Sequence, residues 1–511
     1  MKKFISVLTA VLIAALSFTI CASARSYGKY QNGDVNRDNG LSIKDATHIQ
    51  EYLAKLRNYD NIQMKLADVD LDGSVSIKDT TYIQKVLAKL AVMPEEATVE
   101  TEPVHTAPVT EPSKATEPVT TVPVTTVPQP TDPAVEPEGD VDTNIKISFR
   151  NSLKWSKVYF YFYSSDGKSQ VKDYPGVAPE KSGTSAGDDI YTYTIDVSKF
   201  DRVVFNNNSE KSMDVSLSLA STGFYPKSKG TDGKYIVEKY RAGTFKRGKL
   251  TKTTLTYSTG YEKKIWIYTP ANYSAEASFD YPTIYMCDGQ NLFSDHTDGY
   301  GGWDVEGAVD GLLANTGRGF IAVGIDNGNS KRDSELTPNL GAINSELPAN
   351  ERSHYSNGTG KAFSDFVVNK VMPYVRENYK SSAKREDNII CGSSSGGLEA
   401  FYIGMEHKDK FSTIGALSPA FLLFGDATWN TYLGKFDLSG EDIPKLYLYC
   451  GNSSKDSLEQ NLFTYTDEMY KRLKKLGFPE DKIRYSIFEP GVHNESWWKM
   501  YFPEVFTLHF S

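Results

Sequence analysis

Cysteine is scarce in this chain, at four in 511 residues, and Cys21 lies at the edge of the first apolar run. The other three, Cys287, Cys391 and Cys450, are too few and too odd in number for a disulfide framework, so they read as buried thiols at strand ends. Histidine is nearly as rare, at seven. No block of basic charge occurs and the net charge is −9, which argues against a nucleic-acid surface. No second long apolar run follows Ile20, so no membrane span is expected. Between residues 95 and 143 there is no Phe, Tyr or Trp. That stretch, rich in Thr, Pro, Val and Glu, cannot bury enough apolar surface to fold and reads as an extended, semi-rigid spacer of a kind that can carry O-linked sugar.

What is present divides the rest. Lys2-Lys3, an apolar run from Phe4 to Ile20 and Ala22-Ser23-Ala24 form a signal peptide over 1–24, cut after Ala24, so the protein is exported. The bulky Ile20 before Cys21 disfavours a lipoprotein site. The length is that of about three or four domains.

Residues 30–94 hold a repeat with a period of 34: Asp34-Val-Asn36-Arg-Asp38-Asn39-Gly40-Leu-Ser42-Ile-Lys-Asp45 recurs as Asp68-Val-Asp70-Leu-Asp72-Gly73-Ser-Val-Ser76-Ile-Lys-Asp79. Oxygen side chains at loop positions 1, 3, 5, 9 and 12 suit a hard cation, which needs several oxygens converging on one point. Asp34, Asn36, Asp38, Ser42 and Asp45, then Asp68, Asp70, Asp72, Ser76 and Asp79, are the expected ligands of two calcium ions. Each loop leads into a helix, with Ile49, Leu53 and Leu56 matched by Ile83, Leu87 and Leu90. With Asp rather than Glu at the last position and no preceding helix, the pair resembles a dockerin, the module that plugs into a cohesin on a scaffolding protein. The resemblance implies partner contacts at Ile43-Lys44 and Ile77-Lys78.

Residues 144–240 turn to alternating strands, Ile145-x-Ile147-x-Phe149, Val158 to Tyr163, Tyr191-x-Tyr193-x-Ile195 and Val203 to Phe205, which suit a small β-sandwich. Its many aromatic residues could hold sugar rings by apolar contact, although each is more often core. The motifs Phe149-Arg-Asn-Ser-x-x-Trp155, Tyr174-Pro-Gly176 and Val204-Phe-Asn-Asn207 resemble a starch-binding module of family 26. This implies an α-glucan binder, with Trp155 and then Tyr161 as the sugar platform.

From residue 243 to 511 strands alternate with helices, implying a mostly parallel sheet covered on both faces. The strands are read at Leu250 to Tyr257, Lys264 to Tyr268, Thr283 to Cys287, Gly319 to Ile325, Asn388 to Cys391, Lys445 to Cys450 and Arg484 to Phe488. Helices are read at Phe363 to Tyr379 and Asn461 to Leu476. Gly392-x-Ser394-x-Gly396, between a buried strand and a helix, is a turn that thrusts a serine out where a base can reach it. In such a fold the base follows the nucleophile. By elimination among the seven histidines, only His493 lies after Ser394, beyond the last strand and away from a helix end or terminus. The acid should follow the strand ending at Cys450. Asp456 and Glu459 are both available there, and Asp456 is favoured. Two backbone N–H groups should hold the oxyanion, that of Ser395 and that of Gln290.

Tyr285-Met-x-Asp288-Gly-Gln-Asn-Leu-Phe293, Gly302-Trp303-Asp304, Val323-Gly-Ile-x-Asn327, the elbow and His493 with Trp497 are similar to carbohydrate esterase family 1, which includes feruloyl and acetylxylan esterases. The resemblance implies an α/β-hydrolase fold, with Ser394, His493 and a following-strand acid as triad and Gln290 as oxyanion donor. It implies no catalytic metal. Trp303 and Trp497 could stack on an aromatic acyl group or a sugar, or simply pack. The polar stretch Asp326 to Gly360 is long enough to form a lid or substrate wall.

The expectation is thus an extracellular, scaffold-borne enzyme that hydrolyses acyl esters of plant polysaccharide, with ferulate favoured over acetate. The alternatives are an esterase or acyltransferase for small soluble esters, and a silent glycan-binding subunit.

Overall fold

The computed structural model describes residues 26–27, 30–37, 40–53, 59, 61–69, 75–87, 139–230, 232–243, 246–258, 260–293 and 302–511. The signal segment with Cys21, the spacer as far as residue 138 and the expected ligands Asp38, Asp70 and Asp72 lie outside these residues. The chain divides into two compact units, 1–127 and 128–511.

In the first unit, helices Ile43–Leu53 and Ile77–Leu87 follow the two loops, and Val35, Ala46, Ile49, Leu66, Ala67, Val69 and Ile83 form the core. Ile49 and Ile83 are both fully buried, as their matched positions require, whereas Leu87 is 41% exposed. The expectation that no helix precedes the loops needs correction, since helix Asn61–Ala67 leads into the second loop and adds Leu66 and Ala67 to the core.

The second unit begins as a sandwich. One sheet runs Tyr235–Tyr240, Gly223–Lys229, Asn144–Asn151, Asp188–Asp196, Glu180–Ser185; the other runs Tyr159–Tyr163, Arg202–Asn206, Val215–Ser216. In the strand Tyr159–Tyr163 burial alternates, with Phe160 and Phe162 inward, so period-two patterning sets its orientation.

The sheet that follows has eight strands: β1 (Lys249–Ser258), β2 (Tyr261–Thr269), β3 (Thr283–Cys287), β4 (Ile321–Ile325), β5 (Asn388–Ser393), β6 (Thr413–Leu417), β7 (Lys445–Gly451) and β8 (Ile483–Phe488). They lie in the order β1-β2-β4-β3-β5-β6-β7-β8, with β2 antiparallel to both its neighbours and β3 to β8 parallel. The parallel strands β3 to β6 are buried at every position, as apolar runs covered on both faces must be. This is the α/β-hydrolase arrangement. Five helices matter below: α1 (Val305–Thr316), α2 (Ser395–Glu406), α3 (Ser457–Lys475), α4 (Glu495–Tyr501) and α5 (Glu504–Phe510). Among the described residues no helix is long and apolar enough to cross a membrane.

The strand β6 is absent from the sequence reading because Thr-Ile-Gly-Ala-Leu is short and half small residues, giving little apolar contrast. It is central in space, pairing Cys391 with Gly415 on one side and Ala416 with Leu448 on the other.

Candidate active site

Strand β5 ends at Ser393 and helix α2 starts at Ser395, leaving Ser394 to turn the chain with φ 57° and ψ −127°. That conformation is closed to most L residues and marks stored strain. It survives because the turn is fastened on both sides. Ser394 N–H donates to Leu417 O at 2.9 Å, and its carbonyl accepts from the N–H groups of Gly397, Leu398 and Ala420 at 3.0, 3.1 and 3.0 Å. A Cβ on Gly392 would lie 2.3 Å from Gly396 O, so glycine there is a matter of space.

The structure brings His493 to this serine, with Nε2 at 3.1 Å from Ser394 Oγ. On the other side of the ring, Nδ1 lies 2.8 Å from Glu459 Oε2. The expectation that Asp456 would occupy this place does not hold. Asp456 is the N-cap of α3, accepting the N–H of Glu459 at 3.1 Å, and its second oxygen accepts the backbone N–H of His493 at 2.7 Å. Capping by Asp456 starts the helix at Ser457, four residues before the apolar pattern begins at Asn461, and this turns Glu459 inward. Glu459 is fully buried, and its Oε1 accepts from Ser418 Oγ at 2.7 Å and Gly451 N–H at 2.6 Å. A carboxylate so engaged accepts the Nδ1–H hydrogen bond and keeps the proton on that nitrogen, which leaves the Nε2 lone pair for the serine hydroxyl. Other histidines are occupied elsewhere: His354 with Asp333, His407 with Ser364 and His509 with Thr413.

Sequence reasoning missed Ser418 and Trp498. Trp498 stands edge-on to the His493 ring at 4.9 Å and donates Nε1–H to Ser418 Oγ at 3.0 Å, so Ser418 ties the indole to Glu459. Adjacent tryptophans hid the assignment. Trp497, the expected substrate contact, is half-buried against Phe488 at 4.9 Å and is not part of the cleft wall.

A cleft of about 490 Å³ opens over the serine and histidine, walled by Gln290, Asn291, Trp303, Asn327, Arg332, Glu495 and Trp498. Gln290 lies in the short turn Gly289–Asn291 directly after β3 and lines the same cleft as Ser394, and Ser395 opens α2 directly after the serine. The first N–H groups of a helix have no acceptor within it, which leaves that of Ser395 available to an anion. The turn is entered by Asp288 at φ 59°, clamped by Arg332, whose Nε and Nη2 donate to its two carboxylate oxygens at 2.7 and 2.8 Å, and by the amide of Asn327. Arg332 and Asn327 belong to the long polar stretch after β4, so that stretch forms one wall. Glu495, 7% exposed, faces the same cleft, and burial pushes its carboxyl up to about 7. Trp303 is 2% exposed and packs on Trp498 and Phe502, so it lines the cleft while belonging to the core.

On the sandwich, Trp155 cannot serve as the expected platform. It is 7% exposed, stacks on Phe149 at 5.9 Å and meets Tyr235 edge-on at 5.7 Å, so it belongs to the core. Tyr161 is partly exposed, stacked beside Tyr163 and set against Tyr174, which is 47% exposed.

In the first unit, Asp45 and Asp79 are buried at equivalent places. Asp45 accepts the N–H groups of Asn36 and Ser42, and Asp79 those of Val69 and Ser76, so each closes its loop from within. An all-oxygen donor set drawn in by such closure fits a hard cation. Among the described residues no three His, Cys, Asp or Glu side chains converge as a metal site; three of the ten expected ligands lie outside those residues.

Comparison with known proteins accords with this division. A dockerin type I model matches residues 32–88, the starch-binding module 26 model residues 147–215 and an esterase model residues 256–508. Residues 256–508 match the esterase family. The esterase domain is a carboxylic ester hydrolase domain, and a dockerin and a starch-binding module accompany it in this chain. An acetyl esterase of Caldicellulosiruptor saccharolyticus is 28% identical over 193 residues, 31% of this chain and 69% of that protein. The uncharacterized protein YbbA of Bacillus subtilis is 21% identical over 249 residues, 48% of this chain and 92% of that protein. Among solved structures, a ferulic acid esterase of Anaeromyces mucronatus matches at 18% identity and a TM-score of 0.36, covering 53% of this chain and 94% of that one.

Proposed function

We propose that the chain is an exported serine esterase that removes acyl groups, with hydroxycinnamates such as ferulate favoured, from plant polysaccharide while docked on a scaffolding protein. The observation that carries the reading is the hydrogen-bonded series Ser394, His493, Glu459 at 3.1 and 2.8 Å beneath an open cleft. His493 Nε2 takes the Ser394 proton as Oγ attacks the ester carbonyl, and Glu459 holds the ring in the required tautomer and stabilises the imidazolium. The N–H groups of Gln290 and Ser395 receive the oxyanion. His493 then protonates the sugar oxygen as its bond to the acyl carbon breaks, the sugar leaves as the alcohol and an acyl-enzyme remains, and water reverses the sequence to free the acid.

The cleft, at about 490 Å³, lies in the range of whole small-molecule sites and exceeds what an acetyl group fills. Its two indoles, Trp303 and Trp498, and its polar lining residues suit an aromatic acid that carries hydroxyl groups. Tyr161 and Tyr174 are the proposed sugar platform of the module, which would anchor the enzyme on α-glucan in mixed plant material. In the dockerin, Asp34, Asn36, Asp38, Ser42 and Asp45, with Asp68, Asp70, Asp72, Ser76 and Asp79, would hold two calcium ions, whose role is to fix the loops. Lys44 and Lys78, exposed at matching positions, are proposed cohesin contacts.

The test compares the full chain and its Ser394→Ala form on methyl ferulate, a short acetate ester and acetylated xylan. Ferulate release lost in the variant supports the reading. Release of acetate alone replaces the acyl group, and no turnover of any ester refutes the hydrolase proposal.

A further inference from the structure

The sandwich is not hung on the esterase by a linker. The strand Tyr235–Tyr240 ends nine residues before β1 begins, and one continuous core joins Phe149, Phe160, Phe205 and Leu219 of the sandwich to Phe320, Tyr449, Trp498 and Phe506 of the esterase. At the junction backbone meets backbone: a Cβ on Gly311 of α1 would stand 2.4 Å from Ala220 O.

Within that junction lies a quartet of charges, the buried Asp201 and Arg202 from the sandwich, and the partly exposed Arg484 and buried Glu504 from the esterase. Arg202 Nη1 is 2.9 Å from Glu504 Oε1, its Nη2 donates to Ser486 Oγ at 3.0 Å, and Ser486 Oγ donates to Glu504 Oε2 at 2.7 Å. Ser216 Oγ also donates to Glu504, and Arg484 pairs with both Asp201 and Glu504. Two cations and two carboxylates thus neutralise one another at the junction. A buried ion group is weak evidence of stability, but removing one member strands the others.

The quartet touches the elements on either side of the histidine loop. Ser486 lies in β8, two residues before its end, and His493 follows five residues after that end. Helix α4 begins two residues after His493 and carries Trp498, which packs on the imidazole. The Arg202 guanidinium lies 5.6 Å from the ring of Tyr501 in α4, and Tyr501 stacks at 4.5 Å on Tyr449 of β7, the strand whose Gly451 N–H is held by Glu459. Lys239 of the sandwich adds a second grip, donating to the carbonyl of Met500 at 2.9 Å.

We infer that the starch-type module is a structural half of the esterase, and that Arg202, through Ser486, Glu504 and Tyr501, is a positioning residue for His493. The module therefore has two roles: it offers a glycan face, and it braces the catalytic base. The brace does not depend on which ester is cleaved, although its catalytic arm rests on His493 being the base.

The experiment uses the full chain, with p-nitrophenyl acetate as a general ester and the active serine titrated with a phosphonate. Arg202→Met should lower kcat per titrated site by roughly ten-fold or more, as small misplacements of catalytic groups do, with KM nearly unchanged. Arg202→Lys should restore part of the loss. Lys181→Ala, which breaks an exposed ion pair to Asp189 in the same module, should change nothing. Parental kcat in Arg202→Met overturns the positioning role. Should that variant not fold, thermal unfolding of the parent chain followed by hydrogen exchange decides. Amides of Val203 and Phe160 should lose protection in the same transition as those of Ile390 and Leu448, and two separate transitions would overturn the inference whatever the enzyme hydrolyses.

Discussion

Glu459 meets the Nδ1 of His493 at 2.8 Å, while Asp456, three residues earlier, meets the backbone N–H of the same histidine at 2.7 Å. Two carboxylates therefore serve one residue, one through its ring and one through its main chain, and only the first can choose a tautomer. Glu459→Gln should reduce kcat by roughly 10³ to 10⁴, as loss of the triad acid does. Asp456→Ala should cost about 1 kcal/mol of stability through the lost cap and leave most activity. Steady-state kinetics and thermal melts on the two variants separate the roles.

Ser394 sits where glycine would be relaxed. Ser394→Gly should abolish turnover and raise stability by about 1 to 3 kcal/mol as the strain is released. A melting temperature equal to or below that of the parent would show that the turn stores no such strain.

Glu495 gives a pH prediction. Burial holds its carboxyl at about 7, above the ordinary value of 4.5. The native state therefore keeps a proton that the unfolded chain releases between those values, and stability falls as pH rises through that interval. Glu495→Gln removes the penalty. The variant should match the parent below pH 4.5 and exceed it above pH 7 by on the order of 3 kcal/mol, measured by urea unfolding across the range.

Trp155 and Tyr161 should part company. Trp155→Ala opens a cavity in the sandwich core and should cost about 3 to 5 kcal/mol. Tyr161→Ala should preserve the melting temperature within a few degrees and weaken retention on insoluble starch. Reduced starch retention in a folded Trp155 variant with Tyr161→Ala unaffected would reverse the assignment.

Chelation of calcium should unfold the dockerin and leave the melt of residues 128–511 in place. Circular dichroism with and without a chelator tests this, since the two units are separate bodies of contact.

Much of the architecture was legible because local chemistry dictates it. Buried parallel strands need apolar runs, a nucleophile turn needs Gly392 and Gly396, and a repeat that matches oxygen for oxygen is hard to produce by accident. What escaped depends on three-dimensional neighbours. Strand β6 carries little apolar contrast because Gly415 must pass the Cys391 thiol, whose sulfur would be 2.7 Å from a Cβ there. Glu459 was the second choice because a helix start four residues ahead of the apolar pattern is visible only through the cap. Arg332 lay inside a polar stretch without periodicity, and its partner Asp288 is 44 residues away. The quartet at the junction joins residues as much as 302 apart, beyond any local pattern.

The three sulfhydryls close the account of the sheet. Cys287, Cys391 and Cys450 lie in β3, β5 and β7, all are buried, and burial pushes each thiol above its usual range. In the native enzyme they are silent toward alkylating reagents, so the fold can carry them without a reducing partner or a bridge. Each becomes reactive only when its own strand comes free. Mass spectrometry after brief maleimide exposure would therefore read the opening of this sheet strand by strand, with the protein's own sulfurs as clocks.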